Sequence, residues 1–188
     1  MLSNGRSLQA VQYKPFHITL PNSFCDRIIK ENESLDIIDG TVESKDENRR
    51  SSKISWIPKD KFPKELPQCI DSANKLYNFS LHEFEPVQYT VYHEGDHYDW
   101  HVDNHKEPYH NGMIRKLSFT LCLNDEFEGG DFNICETHPI SEKTKVKSFT
   151  LKKGQMIIFP SHTWHKVNKI TKGIRKSLVG WVVGRPFI

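Results

Sequence analysis

Cysteines are few in this chain, and their arrangement excludes two common classes of small protein. The 188 residues include four, Cys25, Cys69, Cys122 and Cys135, and none belongs to a Cys-x-x-Cys pair. Disulfide scaffolds need dense, closely spaced cysteines, and zinc ribbons and redox motifs need such pairs. We therefore expect reduced thiols, with Cys122 as a small core residue in an apolar stretch.

Long apolar stretches are missing as well. No run approaches the ~20 apolar residues that a membrane-spanning helix needs, and no signal-like apolar segment follows Met1. The sequence therefore predicts neither membrane insertion nor secretion. A cytoplasmic location is expected, in the cytoplasm of the host if the gene is viral.

Neither sign of charge is in excess. The chain has 26 Lys and Arg against 24 Asp and Glu, a formal net charge of +2. A protein dedicated to nucleic acid concentrates basic residues in a patch or stripe, and the sequence has no such concentration. Nucleic acid is therefore not the expected partner.

The first half of the chain carries two helical patterns. The first begins at Pro21-Asn22-Ser23 and runs to about Glu31, and the second begins at Pro67 and runs to about Ser80. Between them, the segment from Glu43 to Lys53 is rich in charge and serine, which predicts a solvated loop that can serve as a flap.

The second half consists of short β-branched and aromatic runs separated by turns. These runs are Val87 to His93, Leu117 to Leu123, Asp131 to Cys135, Lys147 to Leu151, Gln155 to Phe159, Thr163 to Val167 and Arg175 to Val183. Short strands at this spacing predict a jelly roll. We therefore expect a mainly β fold with supporting helices (α+β), whose double-stranded β-helix core is packed by the N-terminal helices.

Three side chains have the chemistry and the spacing of a metal site. His101 and Asp103 are one residue apart, so on an extended strand they project from the same face. Two ligands do not hold a reactive ion, and His165, in the run from Thr163 to Val167, is a good third candidate. Two histidines and one carboxylate make the facial triad that binds non-haem Fe(II) and leaves coordination positions open.

A local alternative uses no distant residue. His101, Asp103 and His105 share one strand face, and this His-x-Asp-x-His pattern could bind zinc. The alternative remains open from the spacing alone.

An arginine ten residues after His165 indicates what a metal site of this kind would bind. The planar guanidinium of Arg175 suits a carboxylate, and Ser177, two residues on, points the same way and can add a hydroxyl. A strand antiparallel to the His165 strand would bring Arg175 to the floor of the pocket. The pair suits the far end of a dicarboxylate whose 2-oxo acid end chelates the metal.

The order of these residues resembles the Fe(II)/2-oxoglutarate-dependent dioxygenases and is most similar to their prolyl 4-hydroxylase branch. The resemblance covers roughly residues 86–185. It rests on the ordered set Tyr92, Gly95, Tyr98, His101, Asp103, Gly129-Gly130-Asp131, Gly154, Phe159-Pro160-Ser161, His165, Val167, Gly173, Arg175 and Trp181.

The resemblance implies a role for several positions. His101, Asp103 and His165 would be the iron ligands. Arg175 would pair with the C5 carboxylate of 2-oxoglutarate, with Tyr92 as a second donor beside Ser177. The expected walls of the substrate pocket are Tyr98, Trp164 and Trp181.

The resemblance also implies an activity. In such enzymes oxygen oxidatively decarboxylates 2-oxoglutarate to succinate and carbon dioxide while a C–H bond of the substrate is hydroxylated. We therefore expect a single catalytic domain over residues 1–188, with helical support and flap in 1–85 and the core with the iron site in 86–188. The expected cofactors are Fe(II), 2-oxoglutarate and O2, with ascorbate as a stimulant, and the expected substrate is a prolyl residue of a peptide or protein.

The chain departs from the family pattern at two places. Cys122 precedes Leu123-Asn124 where some prolyl hydroxylases acting on large proteins have a tyrosine, so Ser177 or Thr120 is expected to replace that contact. The second arginine that nucleic-acid demethylases usually show soon after the first is missing, which argues against base repair. Two alternatives stay open: a hydroxylase of a free amino acid or small metabolite, and a non-catalytic metal-binding jelly roll.

Overall fold

Antiparallel strands make up most of the chain. The computed structural model describes residues 14–33, 38–40, 49–104, 107–135, 137–141 and 144–186. Within them the strands are β1 Phe16–Thr19, β2 Ile38–Asp39, β3 Arg50–Ser51, β4 Lys53–Trp56, β5 Glu83–Phe84, β6 Gln88–Tyr92, β7 His97–His101, β8 Ile114–Cys122, β9 Phe127–Gly129, β10 Phe132–Cys135, β11 Val146–Phe149, β12 Gln155–Pro160, β13 Trp164–Val167, β14 Ile170–Gly173 and β15 Arg175–Gly184. The helices are α1 Asn22–Asn32 and α2 Leu66–Tyr77, with a 3-10 turn at Lys59–Lys61.

Two main sheets are formed by these strands. The larger has eight strands in the order β1-β12-β8-β15-β6-β4-β2, with β5 paired to β15. The smaller has five strands in the order β11-β10-β13-β7-β3, and β14 pairs with β9 in a separate ribbon. Strands that follow one another in sequence often belong to different sheets, as in a jelly roll.

Side chains along the strands of the larger sheet point alternately to its two faces, and both faces are apolar. On β8 and β12, Leu121 and Ile158 belong to one buried cluster, whereas Cys122 and Ile157 belong to another. The second cluster also contains Phe132 of the smaller sheet, so it lies between the two sheets. The prediction of a mainly β jelly roll is confirmed.

The two helices cover the other face of the larger sheet. Phe24 and Ile28 of α1, and Ile70 and Ala73 of α2, pack in the same buried cluster as Leu121. The helices therefore support the sheet from outside, as expected. Neither of them combines the length and the apolar character that a membrane crossing requires, and no other helix among the described residues does.

The helix boundaries differ slightly from the prediction. Helix α1 ends at Asn32, close to the expected Glu31, but α2 ends at Tyr77, before the expected Ser80. Asn78 adopts a left-handed conformation with φ of 53°, and its N–H closes the last turn on the carbonyl of Asn74. Asparagine tolerates this conformation better than most residues, so it ends the helix.

The N-terminal half contributes more β structure than the sequence indicated. Strand β1 pairs with β12 at one edge of the larger sheet, and β2 and β4 extend its other edge. The prediction of a solvated loop from Glu43 to Lys53 was wrong for its end, because β3 and the start of β4 fall there. Residues 43–48 lie outside the described residues. Strands β7, β9 and β14 were also not predicted from the pattern of apolar residues.

The packing of the buried cluster under the helices can be tested by its contribution to the free energy of unfolding. Leu121 is fully buried, so Leu121→Ala is expected to lower the free energy of unfolding by about 3 kcal/mol, through lost burial and the cavity left behind. Leu76, on the exposed side of α2, is 54% exposed, and Leu76→Ala should change the free energy of unfolding by less than about 0.5 kcal/mol. Urea unfolding of both variants measures the difference, and equal losses would contradict this packing.

Candidate metal centre and its cavity

His101, Asp103 and His165 converge at one end of the space between the sheets. All three are buried, and one donor atom from each lies within 4.8 Å of the others. Nε2 of His101 is 3.8 Å from Oδ1 of Asp103, and Nε2 of His165 is 3.5 Å from Oδ2 of the same carboxylate. This is the only such group of donors among the residues that the structure describes.

Strand pairing explains how the two histidines meet. His101 ends β7 and His165 lies on β13, and the two residues are direct partners in the ladder of the smaller sheet. Asp103, contrary to the expectation, is not on the strand, because β7 ends two residues before it. Its backbone N–H instead donates to the carbonyl of Ser161, which fixes the turn that carries the carboxylate back to the histidines.

The hydrogen bonds of the rings decide which nitrogen faces the carboxylate. Nδ1 of His101 lies 2.7 Å from the carbonyl of Asp99, and Nδ1 of His165 lies 2.9 Å from the carbonyl of Thr163. A carbonyl only accepts, so each Nδ1 carries the proton and donates it. Each Nε2 is then left with a free lone pair, which is the form that binds a metal.

Burial and mutual charge also favour the ligating protonation states. Burial lowers the pKa of His101, and the neighbouring His165 lowers it further. Burial alone would raise the pKa of the Asp103 carboxyl, but His165 and His101 outweigh it and hold that pKa below its usual value. A neutral imidazole and an ionised carboxylate are the ligand forms that a divalent metal requires.

Arg175 is a buried cation in the same region. It is 1% exposed and begins β15 of the larger sheet. The expectation that its strand lies antiparallel to the His165 strand was wrong, because β15 pairs with β6, β8 and β5 whereas β13 pairs with β10 and β7. Arg175 therefore reaches the cavity from the sheet opposite His165.

The guanidinium of Arg175 lacks a counter-ion among the described residues. Nη1 donates to Oγ of Ser177 at 3.1 Å, a contact that the sequence did not predict, although the Arg-x-Ser spacing predicted that the two side chains point the same way. Nε and Nη2 have no hydrogen-bond partner among the described residues. A buried charge without a partner costs several kcal/mol, so the site fits an anion. A carboxylate of a bound dicarboxylate would satisfy both nitrogen atoms at once.

A single cavity of about 390 Å³ connects the metal cluster with Arg175. The predicted site residues among its lining are Tyr92, Tyr98, His101, Asp103, His165, Arg175, Ser177 and Trp181, together with Thr120. The ring of Tyr98 stacks on that of His101 with 3.6 Å between centroids. The donor set, the unpartnered cation and the size of the cavity together fit a divalent iron with 2-oxoglutarate beside it.

Two of the predicted positions are not among the residues that line the cavity. Trp164 does not line the cavity, against the expectation. Its neighbour His165 points inward, so Trp164 projects from the other face of β13, where its ring contacts His138 at 4.6 Å. His105, the third member of the alternative zinc pattern, lies outside the described residues.

Sequence reasoning missed three arginines that line the cavity. Arg115 pairs with Glu85 and its guanidinium lies 3.9 Å over the ring of Trp181. No short motif marks this position. Arg49 and Arg50 were included in a solvated loop, and their direct succession at the end of a charged run was the signal that could have singled them out.

Comparisons with known proteins agree with this geometry. The family model of the 2OG-Fe(II) oxygenase superfamily matches residues 87–183. A PKHD-type hydroxylase of Gluconobacter oxydans is 30% identical over 170 residues, covering 84% of this chain and 70% of that protein. Other PKHD-type hydroxylases match over shorter stretches, and the chain spans less than half of their length.

Two solved structures share the fold. A Pseudomonas putida prolyl-4-hydroxylase superposes with a TM-score of 0.69 at 19% identity, covering 92% of this chain and 93% of that one. A prolyl hydroxylase of Trichoplax adhaerens, in complex with a hypoxia inducible factor peptide fragment, gives 0.68 at 22% identity and covers 89% and 82%. At this identity the likeness shows the fold. Together with the family model and the Gluconobacter relative, it establishes that the chain belongs to the 2OG-Fe(II) oxygenase superfamily.

Proposed function

We propose that this protein is an Fe(II)- and 2-oxoglutarate-dependent dioxygenase that hydroxylates a prolyl residue in a peptide or protein. The observation that carries the proposal is the joint presence, in one cavity, of the His101, Asp103 and His165 cluster and the buried guanidinium of Arg175. The choice of a prolyl substrate is supported by the PKHD-type relatives and by the two prolyl hydroxylases of the same fold.

In this proposal the inner half of the cavity binds iron and cosubstrate. His101 and His165 bind iron through Nε2 and Asp103 through a carboxylate oxygen. Arg175 binds the C5 carboxylate of 2-oxoglutarate through Nε and Nη2, with Ser177 holding the guanidinium. When bound, iron, 2-oxoglutarate and O2 supply the oxidising power, giving succinate, carbon dioxide and the hydroxylated substrate.

Several side chains keep this arrangement rigid. Tyr98 stacks on His101 and restrains rotation of the ring about its side-chain bonds. Arg115 donates to both carboxylate oxygens of Glu85, at 2.8 and 2.6 Å, and lies over Trp181. Tyr92 is the register partner of Arg175 on the neighbouring strand, with its ring 5.6 Å from the guanidinium carbon. These contacts favour a fixed position for the cosubstrate.

Access to the cavity supports a peptide substrate. Among its lining residues, Trp56 is 44% exposed and Ile38 is 54% exposed, so the cavity extends to the protein surface. A closed pocket would suit a free amino acid, whereas an opening of this kind admits an extended chain.

The four cysteines are free thiols, which suits the proposed cytoplasmic location because a reducing compartment preserves them.

The metal set is tested by substituting single histidines. His165→Ala removes one of three ligands and is expected to abolish tight Fe(II) binding, while His105→Ala is expected to leave it unchanged. His82→Ala, at an exposed position outside the cavity, is the matched control. Anaerobic calorimetric titration with Fe(II) measures all three, and loss of binding in His105→Ala with retention in His165→Ala would favour the local zinc site.

The cosubstrate contact is tested by a change that keeps the charge. Arg175→Lys loses the planar fork and leaves a buried carboxylate partly unpaired, which costs on the order of 3 kcal/mol, roughly a hundredfold in 2-oxoglutarate affinity. Arg27→Lys, at a half-exposed arginine of α1 outside the cavity, should leave the affinity unchanged. Unchanged 2-oxoglutarate affinity in Arg175→Lys would overturn the carboxylate assignment.

The activity itself is tested by admitting oxygen to the loaded protein. The metal-free protein is titrated anaerobically with Fe(II) and 2-oxoglutarate, O2 is added, and succinate is measured. We expect 2-oxoglutarate to bind only when iron is present, and succinate to form even without substrate, although slowly. Folded protein that binds neither partner and forms no succinate would instead be a non-catalytic binding module.

A further inference from the structure

The mouth of the cavity carries positive charge that the proposed function does not use. Among the described residues, four arginines line the cavity, Arg49, Arg50, Arg115 and Arg175, and Asp103 is the one lining carboxylate. Arg175 is assigned to the cosubstrate, Asp103 to the metal, and Arg115 pairs with Glu85. Arg49 and Arg50 therefore remain without a role in binding iron or 2-oxoglutarate.

These two arginines lie beside the metal cluster rather than at a distance from it. Arg50 is on β3, the edge strand of the smaller sheet, in register with Tyr98 on β7. Its guanidinium carbon lies 4.8 Å over the ring of Tyr98, and that ring stacks on His101. One aromatic ring thus separates the guanidinium of Arg50 from a candidate metal ligand.

Hydrogen bonds hold both arginines at this edge. Nε of Arg50 donates to Oγ of Ser52 at 2.8 Å and Nη2 donates to Oε1 of Gln88 at 3.3 Å. Nη2 of Arg49 donates to the carbonyl of Trp100 at 2.9 Å, and no carboxylate of a described residue forms an ion pair with Arg49. The guanidinium of Arg49 is therefore positioned by the β7 strand and keeps N–H groups for a ligand.

An apolar wall lies beside these arginines. After β3 the chain passes into β4 of the larger sheet, and Ile54 and Trp56, two residues apart, both line the cavity. The half-exposed ring of Trp56 lies 6.4 Å from that of Trp181. Trp181 is 6% exposed, and its indole N–H has no acceptor among the described residues. A ligand with an apolar ring could pack against Trp56, and a carbonyl oxygen of the same ligand could accept from the indole N–H of Trp181.

We infer that the mouth selects an acidic peptide segment, in which an aspartate or glutamate near the target prolyl residue binds Arg49 beside the positive charge of Arg50. The peptide backbone lies along Trp56, where its carbonyl groups can accept from Trp181. An extended chain advances about 3.3 Å per residue, and one ring separates Arg50 from His101. The acidic residue is therefore expected within about three positions of the prolyl residue. This inference rests on the proposed function.

Peptides that differ in one charge test the inference on the unmodified protein. Three peptides carry one central proline and, two residues away, glutamate, glutamine or lysine. Calorimetry measures their dissociation constants for protein loaded with Mn(II) and 2-oxoglutarate, since binding can then be followed without turnover. We expect the glutamyl peptide to bind on the order of fivefold more tightly than the glutaminyl one, and the lysyl peptide to bind least.

The same titrations provide further checks. The preference for glutamate should shrink as salt is raised, because ions screen the partly exposed pair. Equal affinity for the three peptides, with the charge moved to each position within three residues of the proline, would overturn the inference. Failure of every peptide to bind at millimolar concentration would overturn it as well.

Reversing the charge of Arg49 tests whether this residue causes the preference for the glutamyl peptide. Arg49→Glu is expected to lose the preference and to bind the glutamyl and lysyl peptides about equally, because the new carboxylate offsets the charge of Arg50. Arg185→Glu places the same change at an exposed arginine outside the cavity and should keep the original order. An unchanged order in folded Arg49→Glu, verified by its melting temperature, would overturn the assignment of this arginine.

Hydroxylation of the same peptides separates this inference from the proposed function. Binding that prefers glutamate without any hydroxylated product supports selection of an acidic peptide by the arginines at the mouth and overturns the prolyl substrate. Hydroxylation at rates independent of the neighbouring charge supports the proposed function and overturns this selection of an acidic peptide. Mass spectrometry of each peptide after reaction with Fe(II), 2-oxoglutarate and O2 gives this second readout.

Discussion

A buried guanidinium without a counter-ion in the described part of the chain is the constraint on which the centre of this molecule depends. Arg175 is almost fully buried, yet two of its nitrogen atoms have no partner among the residues that the structure describes. Such a charge is tolerated in a folded protein when an anion completes it, because the cost of removing it from water is otherwise too high. The space next to Arg175 therefore fits an anionic ligand, and the proposed function places the cosubstrate there.

The jelly roll meets this constraint by taking each half of the site from a different sheet. The smaller sheet supplies His101 and His165 as direct ladder partners, and the larger sheet supplies Arg175 with Ser177 two residues on. A cluster of apolar side chains from both sheets fixes their separation. The metal cluster and the guanidinium therefore face each other across a gap set by core packing, which suits a short dicarboxylate between them.

The protein also separates its charges by depth. The inner groups pair with one another or with the proposed iron and cosubstrate, while Arg49 and Arg50 lie at the edge strand β3, where chain from the N-terminal half closes the mouth. That half was expected to provide helices and a flap. The helices are present, and strands of the same half also extend both sheets, so it contributes to the walls of the cavity as well as supporting the larger sheet.

The sequence by itself determined the features that depend on local spacing. The period of apolar residues predicted both helices and most core strands, and the Arg-x-Ser spacing predicted that Arg175 and Ser177 point the same way, since residues two apart share a strand face. The tertiary structure alone decided which strands are neighbours. It placed Arg175 opposite His165 rather than beside it, turned Trp164 away from the cavity and brought Arg49, Arg50 and Arg115 to its lining. These placements depend on sheet order and on contacts between distant residues, which local spacing does not encode.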